Sequence, residues 1–174
     1  MYDLSSKFNI FYSSYVVLPQ SEQSSLYHKK DLNLQRLKDG LKEYNTEYKT
    51  SYSIVDDCVQ GSVAMSTVVQ NEESDYDIDA AIVLGKSDLD GKGALSTRNM
   101  VANALRRKTK QFNAEPEVKT SCVRVKYADG YHIDFAVYRR SYDIINKEWI
   151  YEHAGSEWTS RELRGLTDWF KTQN

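Results

Sequence analysis

Three aspartates and one Gly-Ser turn hold most of the chemistry this sequence can offer. Asp77 and Asp79 stand two apart in DYDIDAAIVL, and Asp134 lies in a later apolar run, YHIDFAVY. Alternate residues of a strand project from one face, so Asp77 and Asp79 point together. Two like charges side by side are costly to bury unless a cation sits between them. Oxygen ligands without thiols suit magnesium or manganese. Asp134 completes the cluster if its strand is a neighbour of the first. Gly61 and Ser62 close an earlier strand-like run and open a turn beside the acids. Three carboxylates on a sheet edge next to such a turn suit a two-metal phosphoryl-transfer site. His132 shares the parity of Asp134; a packing or surface histidine is the plainer reading of it.

The elements that must position these residues can be read from periodicity. Met1 to Tyr15 reads as a short helix that packs back on the body, ended by Pro19. Ser21 suits an N-cap for a long helix from Glu22 to about Tyr48. There Leu26, Leu34, Leu37, Leu41, Tyr44 and Tyr48 recur at helical steps as one buried stripe. Gly40 inside that helix costs about 1 kcal/mol against alanine and could allow a kink. Ser51 to Gln60 reads as a strand, Ser62 to Val69 as a turn of helix, Gln70 to Ser74 as a loop, and Asp77 to Leu84 as a central strand. Gly85 to Gly93 reads as surface loop. Ser96 is the expected cap of a helix from Thr97 to Phe112, with Val101, Ala104, Leu105 and Lys108 on one side. Val118 to Tyr127 and Tyr131 to Tyr138 alternate around Asp129-Gly130, a hairpin signal. Lys147 to Tyr151 reads as a further strand. Thr159 or Ser160 is the expected cap of a final helix bearing Leu163, Leu166, Trp169 and Phe170.

Composition sets the outer bounds. The 174 residues suffice for one domain with a real core, and a charged content of 28% reads as soluble and globular. The net charge of −2 gives no global nucleic-acid signature. The basic runs on the two long helices read as solvated faces and dipole partners. Cys58 and Cys122 both sit in apolar runs and read as buried, reduced thiols. No apolar run approaches the ~20 residues of a membrane span. No secretory pattern opens the chain, so the cytoplasm is the expected compartment. A dinucleotide-binding G-x-G-x-x-G, a P-loop, a nucleophile elbow and a zinc ligand set are all missing.

The motifs GSVAMST, DYDIDAAIVL and HIDFAVY together resemble the polymerase-β-like nucleotidyltransferase superfamily. Within it the sequence is most similar to the bacterial cGAS-like enzymes (CD-NTases), relatives of oligoadenylate synthase and cyclic GMP–AMP synthase. The residues that carry this likeness are Gly61, Ser62, Ala64, Thr67, Asp75, Tyr76, Asp77, Asp79, His132, Ile133 and Asp134. The resemblance implies an α/β (α+β) fold: a twisted mixed sheet flanked by helices, with a long N-terminal spine helix. It implies a helical spine over 1–50, a catalytic core over 51–158, and a C-terminal helix over 159–174 leading to a helical lobe.

The implied function is metal-dependent joining of nucleoside triphosphates into a cyclic or linear oligonucleotide second messenger, of the kind used in bacterial anti-phage signalling. Asp77, Asp79 and Asp134 would be catalytic and would hold two Mg²⁺ or Mn²⁺ ions. Asp75 has the same parity; the family's apolar strand continuation, found here after Asp79, favours the later pair. Gly61 and Ser62 would hold the triphosphate. Thr67 would support the turn or touch phosphate, and Gln60 would contact a base or the turn. Two other readings stay open: a minimal nucleotidyltransferase that adenylylates a protein partner, and a nucleotide-binding module without catalysis. Family members continue into a helical lobe that closes over the nucleotide. The Leu163–Phe170 stripe is expected to meet either the core or such a lobe, from a continuation of the chain or a second subunit.

Overall fold

The computed structural model describes residues 3–71, 75–110 and 114–173. Its centre is a seven-stranded mixed sheet flanked by helices. β2 (Asp77–Gly85) and β5 (His132–Asp143) run parallel and in register, from Asp77 opposite His132 to Gly85 opposite Arg140. β1 (Ile54–Gln60) lies antiparallel to β2 on its other side. The far edge of β5 is shared: β4 (Val123–Lys126) pairs with its first residues, and β6 (Glu148–Ala154) with its last. Two short strands, β3 (Glu117–Val118) and β7 (Trp158–Ser160), extend the sheet beyond β4 and β6.

Strand alternation sorts the two faces. Ile78, Ala80, Ile82 and Leu84 of β2 join Ile133, Phe135 and Val137 of β5 in the main core. That face is covered by α2 (Gln20–Tyr48) and α4 (Ala94–Lys108), through Leu26, Leu34, Leu37 and Leu41 from one and Met100, Val101, Ala104 and Leu105 from the other. The opposite face carries Asp77 and Asp79 and then Ala81 and Val83, which pack with Tyr138 and Leu163 in a second, smaller core. The two-residue period puts chemistry and packing on one strand without conflict.

Gly40 explains the crossing of the two long helices. A Cβ built there would overlap the carbonyl oxygen of Ala104 and lie 2.7 Å from its carbon. The glycine is a contact point between backbones, and α2 continues through it unbroken to Tyr48.

Several expected boundaries move. α2 starts at Gln20 with Pro19 as its cap residue, so Ser21 is already helical. Proline suits that place because its missing N–H would have no helical partner. α4 starts at Ala94, capped at Gly93, with Ser96 inside it; Ala94 and Leu95 are good helix formers and add most of a turn. The same helix ends at Lys108, short of Phe112, which lies outside the described residues together with Gln111, as do Glu72 to Ser74 of the expected loop. Lys108 pairs with Glu43 and does not join the core. Thr159 and Ser160 belong to β7 and cap nothing; the last helix, α5, runs over Gly165–Gln173. The N-terminal helix α1 (Ser5–Phe11) forms and continues in a π-helical turn, Tyr12–Val16. None of its residues is buried, and Phe8 is 69% exposed, so it does not pack back on the body as expected. The chain re-enters the core only at Leu18.

Candidate active site

The sheet brings the three aspartates together at one end of β2 and β5. Asp79 stands directly across from Asp134 in the parallel ladder, and Gln60 of β1 faces Asp79 from the other side. Asp77, His132 and Asp134 each place one ligand atom within 4.8 Å of the others. His132 lies between acids, its Nδ1 3.2 Å from Asp75 and its Nε2 3.7 Å from Asp77. It stands within the acid cluster.

The electrostatics are those of a crowded acid site. Burial pushes the Asp79 carboxyl up, and the charges of Asp77 and Asp134 push it further. Asp134 is only 8% exposed, yet its carboxyl is held below the usual range. Burial works against ionisation there, and Arg124 outweighs it. Arg124 reaches across from β4 and donates from Nε to Oδ1 and from Nη2 to Oδ2, both at 2.7 Å. Such a fork is the strongest geometry for an arginine–carboxylate pair. Burial and Asp134 drive the Cys122 thiol up to about 12, so that cysteine is a neutral neighbour with no nucleophilic character. Cys58 and Cys122 are both free thiols.

The turn after β1 follows from glycine. Gly61 has φ +65° and opens α3 (Gly61–Met65), where an L side chain would be strained. A Cβ there would also press into the Asp79 carboxylate, 3.3 Å from its Cγ and closer still to Oδ2. The glycine thus lets the backbone of the turn lie directly against the acid cluster. Thr67 supports this turn, donating from its backbone N–H to the Ser62 carbonyl at 2.9 Å. Gln60 does something sequence could not assign: its amide donates to the Leu163 carbonyl at 2.6 Å, 103 residues away. Arg164 grips Asp56 of β1 with two hydrogen bonds, at 2.8 and 3.1 Å.

These tethers draw the segment before α5 over the acid face. A cavity of about 290 Å³ lies between them, bounded by Gly61, Asp79 and Asp134 on one side and by Arg161, Leu163 and Leu166 on the other. Leu163 is buried in the smaller core, whereas Leu166 and Trp169 stay 67% and 61% exposed. The expected stripe is therefore divided between a covered and an uncovered part. Sequence reasoning missed Arg124, Arg161 and Arg164. Only Arg124 carried a signal, since it alternates on the same non-core parity of its hairpin as Asp134 does.

The mixed sheet flanked by helices that carries these carboxylates matches the nucleotidyltransferase fold of DncV-like structures. Residues 54–138 match the family described as the cyclic GMP-AMP synthase DncV-like nucleotidyltransferase domain. The resemblance to the bacterial cGAS-like CD-NTases drawn from the motifs holds. Among solved structures, the fold resembles the Escherichia coli MS115-1 CdnC:HORMA-deltaN complex, with TM-score 0.66 and 19% identity over 97% of this chain and 50% of that one. It also resembles Vibrio cholerae DncV cyclic AMP-GMP synthase in complex with a linear intermediate, with TM-score 0.72 and 15% identity over 94% of this chain and 59% of that one. A third is the Bradyrhizobium diazoefficiens CD-NTase CdnG in complex with GTP, with TM-score 0.65 and 19% identity over 89% and 42%. At these identities the likeness is one of fold, and the chain spans about half the length of the structures it matches. Among the described residues no helix is long and apolar enough to cross a membrane.

The family implies divalent cations, and the residues present fit them. Hard carboxylate oxygens with one imidazole converge within 4.8 Å, and Asp79 is under like-charge pressure that a cation would relieve.

Proposed function

We propose that this chain is the catalytic half of a metal-dependent nucleotidyltransferase. It would join nucleoside triphosphates into a cyclic or linear oligonucleotide second messenger and release pyrophosphate. The observation that supports this best is the in-register pair Asp79 and Asp134 beside the left-handed Gly61, within the residues that match the DncV-like family. In this reading Asp77, Asp79 and Asp134 hold two Mg²⁺ or Mn²⁺ ions. When bound, these ions supply Lewis-acid stabilisation of the leaving pyrophosphate and lower the pKa of the acceptor's ribose hydroxyl.

The chain's own residues do the rest. Gly61 lets the turn approach the triphosphate, and the amides that follow it with the Ser62 hydroxyl donate to phosphate oxygens. Thr67 holds that turn to the Ser62 carbonyl. Gln60 lines the cavity and fixes Leu163, part of the segment that covers it. Asp134 accepts the acceptor's proton. Within 1–50 the spine helix α2 buttresses the core over 51–158, and residues 159–174 lead toward a helical lobe. That lobe, from a continuation of the chain or a second subunit, closes over the nucleotide and adds cations for the leaving group. Without it, residues 1–174 bind nucleotide weakly and turn over slowly. Its setting is cytoplasmic anti-phage signalling.

The test uses labelled nucleoside triphosphates with Mg²⁺ or Mn²⁺ and the full-length or partner-complemented form, with products separated after phosphatase treatment. A phosphatase-resistant oligonucleotide should form and fall at least ~100-fold in Asp77→Asn and in Asp134→Asn. Label transferred to a protein instead would favour the adenylylating alternative. Product from Asp79→Asn but none from Asp75→Asn would move the metal pair to Asp75 and Asp77.

A further inference from the structure

The proposed chemistry leaves Arg124 without a task. It stands on β4 opposite Asp134 and takes both carboxylate oxygens in a fork at 2.7 Å. Cys122 lies beside that carboxylate, whose charge helps to push its thiol up. A carboxylate offers about four lone-pair sites, so Arg124 engages about half of the capacity of Asp134, one site on each oxygen. Yet Asp134 also places a ligand atom within 4.8 Å of Asp77 and His132. A guanidinium and a divalent cation would therefore draw on one carboxylate.

Charge decides the consequence. Among the proposed ligands, Asp77, Asp79 and Asp134 bring three negative charges and Arg124 returns one positive; Asp75 lies further out, 60% exposed and against His132. A first divalent cation balances the remainder. A second would leave an excess of positive charge in a half-buried site, unless the phosphates of a nucleotide enter with it. Taking the metal-dependent reading above as its basis, we propose that Arg124 is a resident counter-ion of Asp134 that makes occupation of the second cation position conditional on bound nucleotide. The metal pair then assembles only around substrate, and the empty site is spared a charge it cannot solvate. Arg124 acts through Asp134 and is a positioning residue: its fork holds the third carboxylate oriented until the nucleotide's charge arrives.

The experiment counts bound Mn²⁺ by the loss of the free-ion EPR signal, with and without the non-reacting analogue α,β-methylene-ATP. The wild-type chain should hold about one Mn²⁺ without the analogue and about two with it. Arg124→Gln should hold about two in both conditions, its second ion at least about tenfold tighter than in the wild type without nucleotide. Arg124→Lys keeps the charge, loses the fork, and should count as the wild type does. That rescue separates charge from a merely structural role. An Arg124→Gln second site no tighter than the wild type's overturns the inference and leaves the metal reading standing. Wild-type binding of two ions without nucleotide overturns it as well, and needs no variant to fold. No Mn²⁺ bound by the wild type in either condition overturns the metal reading, and this inference with it.

Discussion

Replacing Gly61 by alanine tests whether the turn exists to serve the acids. Gly61 and Gly91 both sit in the left-handed region, at φ +65° and +68°. An L residue there costs about 1–2 kcal/mol. For a chain of this size that corresponds to a fall in melting temperature of roughly 2–8 °C. The two sites differ in what a Cβ would meet. At Gly91 nothing lies within 4 Å, whereas at Gly61 the methyl presses into the carboxylate of Asp79. The obstructing atoms are the tip of a side chain, so the clash is relieved by turning that carboxylate away. Relief adds little to the loss of stability, but it displaces a metal-binding oxygen by about an ångström, a misplacement that costs on the order of 100-fold in a reacting geometry. Both variants should therefore lose similar stability by ligand-free melting. The rise in melting temperature on adding Mn²⁺ with an ATP analogue should survive in Gly91→Ala and vanish in Gly61→Ala. A Gly61→Ala protein with the full ligand-dependent rise would show that Asp79 does not need this turn open, and the reasoning would fail.

Other expected outcomes follow from packing and charge. Gly40→Ala should gain the ~1 kcal/mol of helix propensity and still lose about 2–3 kcal/mol net, because the methyl meets the Ala104 carbonyl; urea unfolding measures it, and a stabilised variant would contradict the backbone-to-backbone crossing. Asp79→Asn should raise the melting temperature of the metal-free protein at neutral pH, since the ionised carboxyl is disfavoured by burial and by Asp77 and Asp134, and should abolish the Mn²⁺-dependent rise. Glu152 is forked by Arg139 and approached by Lys86, which together lower its carboxyl to about 2 from 4.5. A depressed acid stabilises above its unfolded value, so Glu152→Gln should cost up to about 2 kcal/mol at pH 7, and the gap to wild type should close as pH falls from 4.5 to about 2.

What was legible in the sequence was what repeats locally. The leucine stripe of α2 and the alternation in β2, β4 and β5 assign the core face and the acid face correctly. The hairpin turn is there too, with Gly130 at φ +93° and Tyr127 pairing with Tyr131 across it. Capping residues were less reliable. Ser96 is a good cap by type, but two helix formers ahead of it extend the helix to Gly93. Thr159 is equally good by type, but β6 offers an edge that a Trp-Thr-Ser run can pair with, and a strand forms instead. Gly40 was visible as a helix-weakening residue, while its use depends on Ala104 of another helix. Contacts over the longest separations left no local trace: Gln60 with Leu163, Asp56 with Arg164. Arg124 and Arg161 likewise reach the site from later in the chain.

The acid face of the sheet has a gradient along β2 that bears on why the carboxylates sit where they do. Toward the middle of the strand Ala81 and Val83 are fully buried with Tyr138 under Leu163. Two residues before Ala81, Asp79 stands at the rim of that apolar patch, and two before that Asp77 is open to solvent on nearly half its side chain. The field around Asp79 is therefore screened far less than that around Asp77, so like charges there repel more strongly and a cation is held more strongly. Asp134, level with Asp79, faces the same medium and has been given an arginine. Asp79 has none among the described side-chain contacts. An apolar floor, a paired acid and an unpaired acid at the same depth make a site that is strained when empty and relieved by a hard cation. The segment that seals the floor is held by Gln60 and Asp56, both on β1, the strand that ends at Gly61. One strand thus fixes the cavity's cover and its glycine turn, and any change that loosens β1 from β2 should disturb both together.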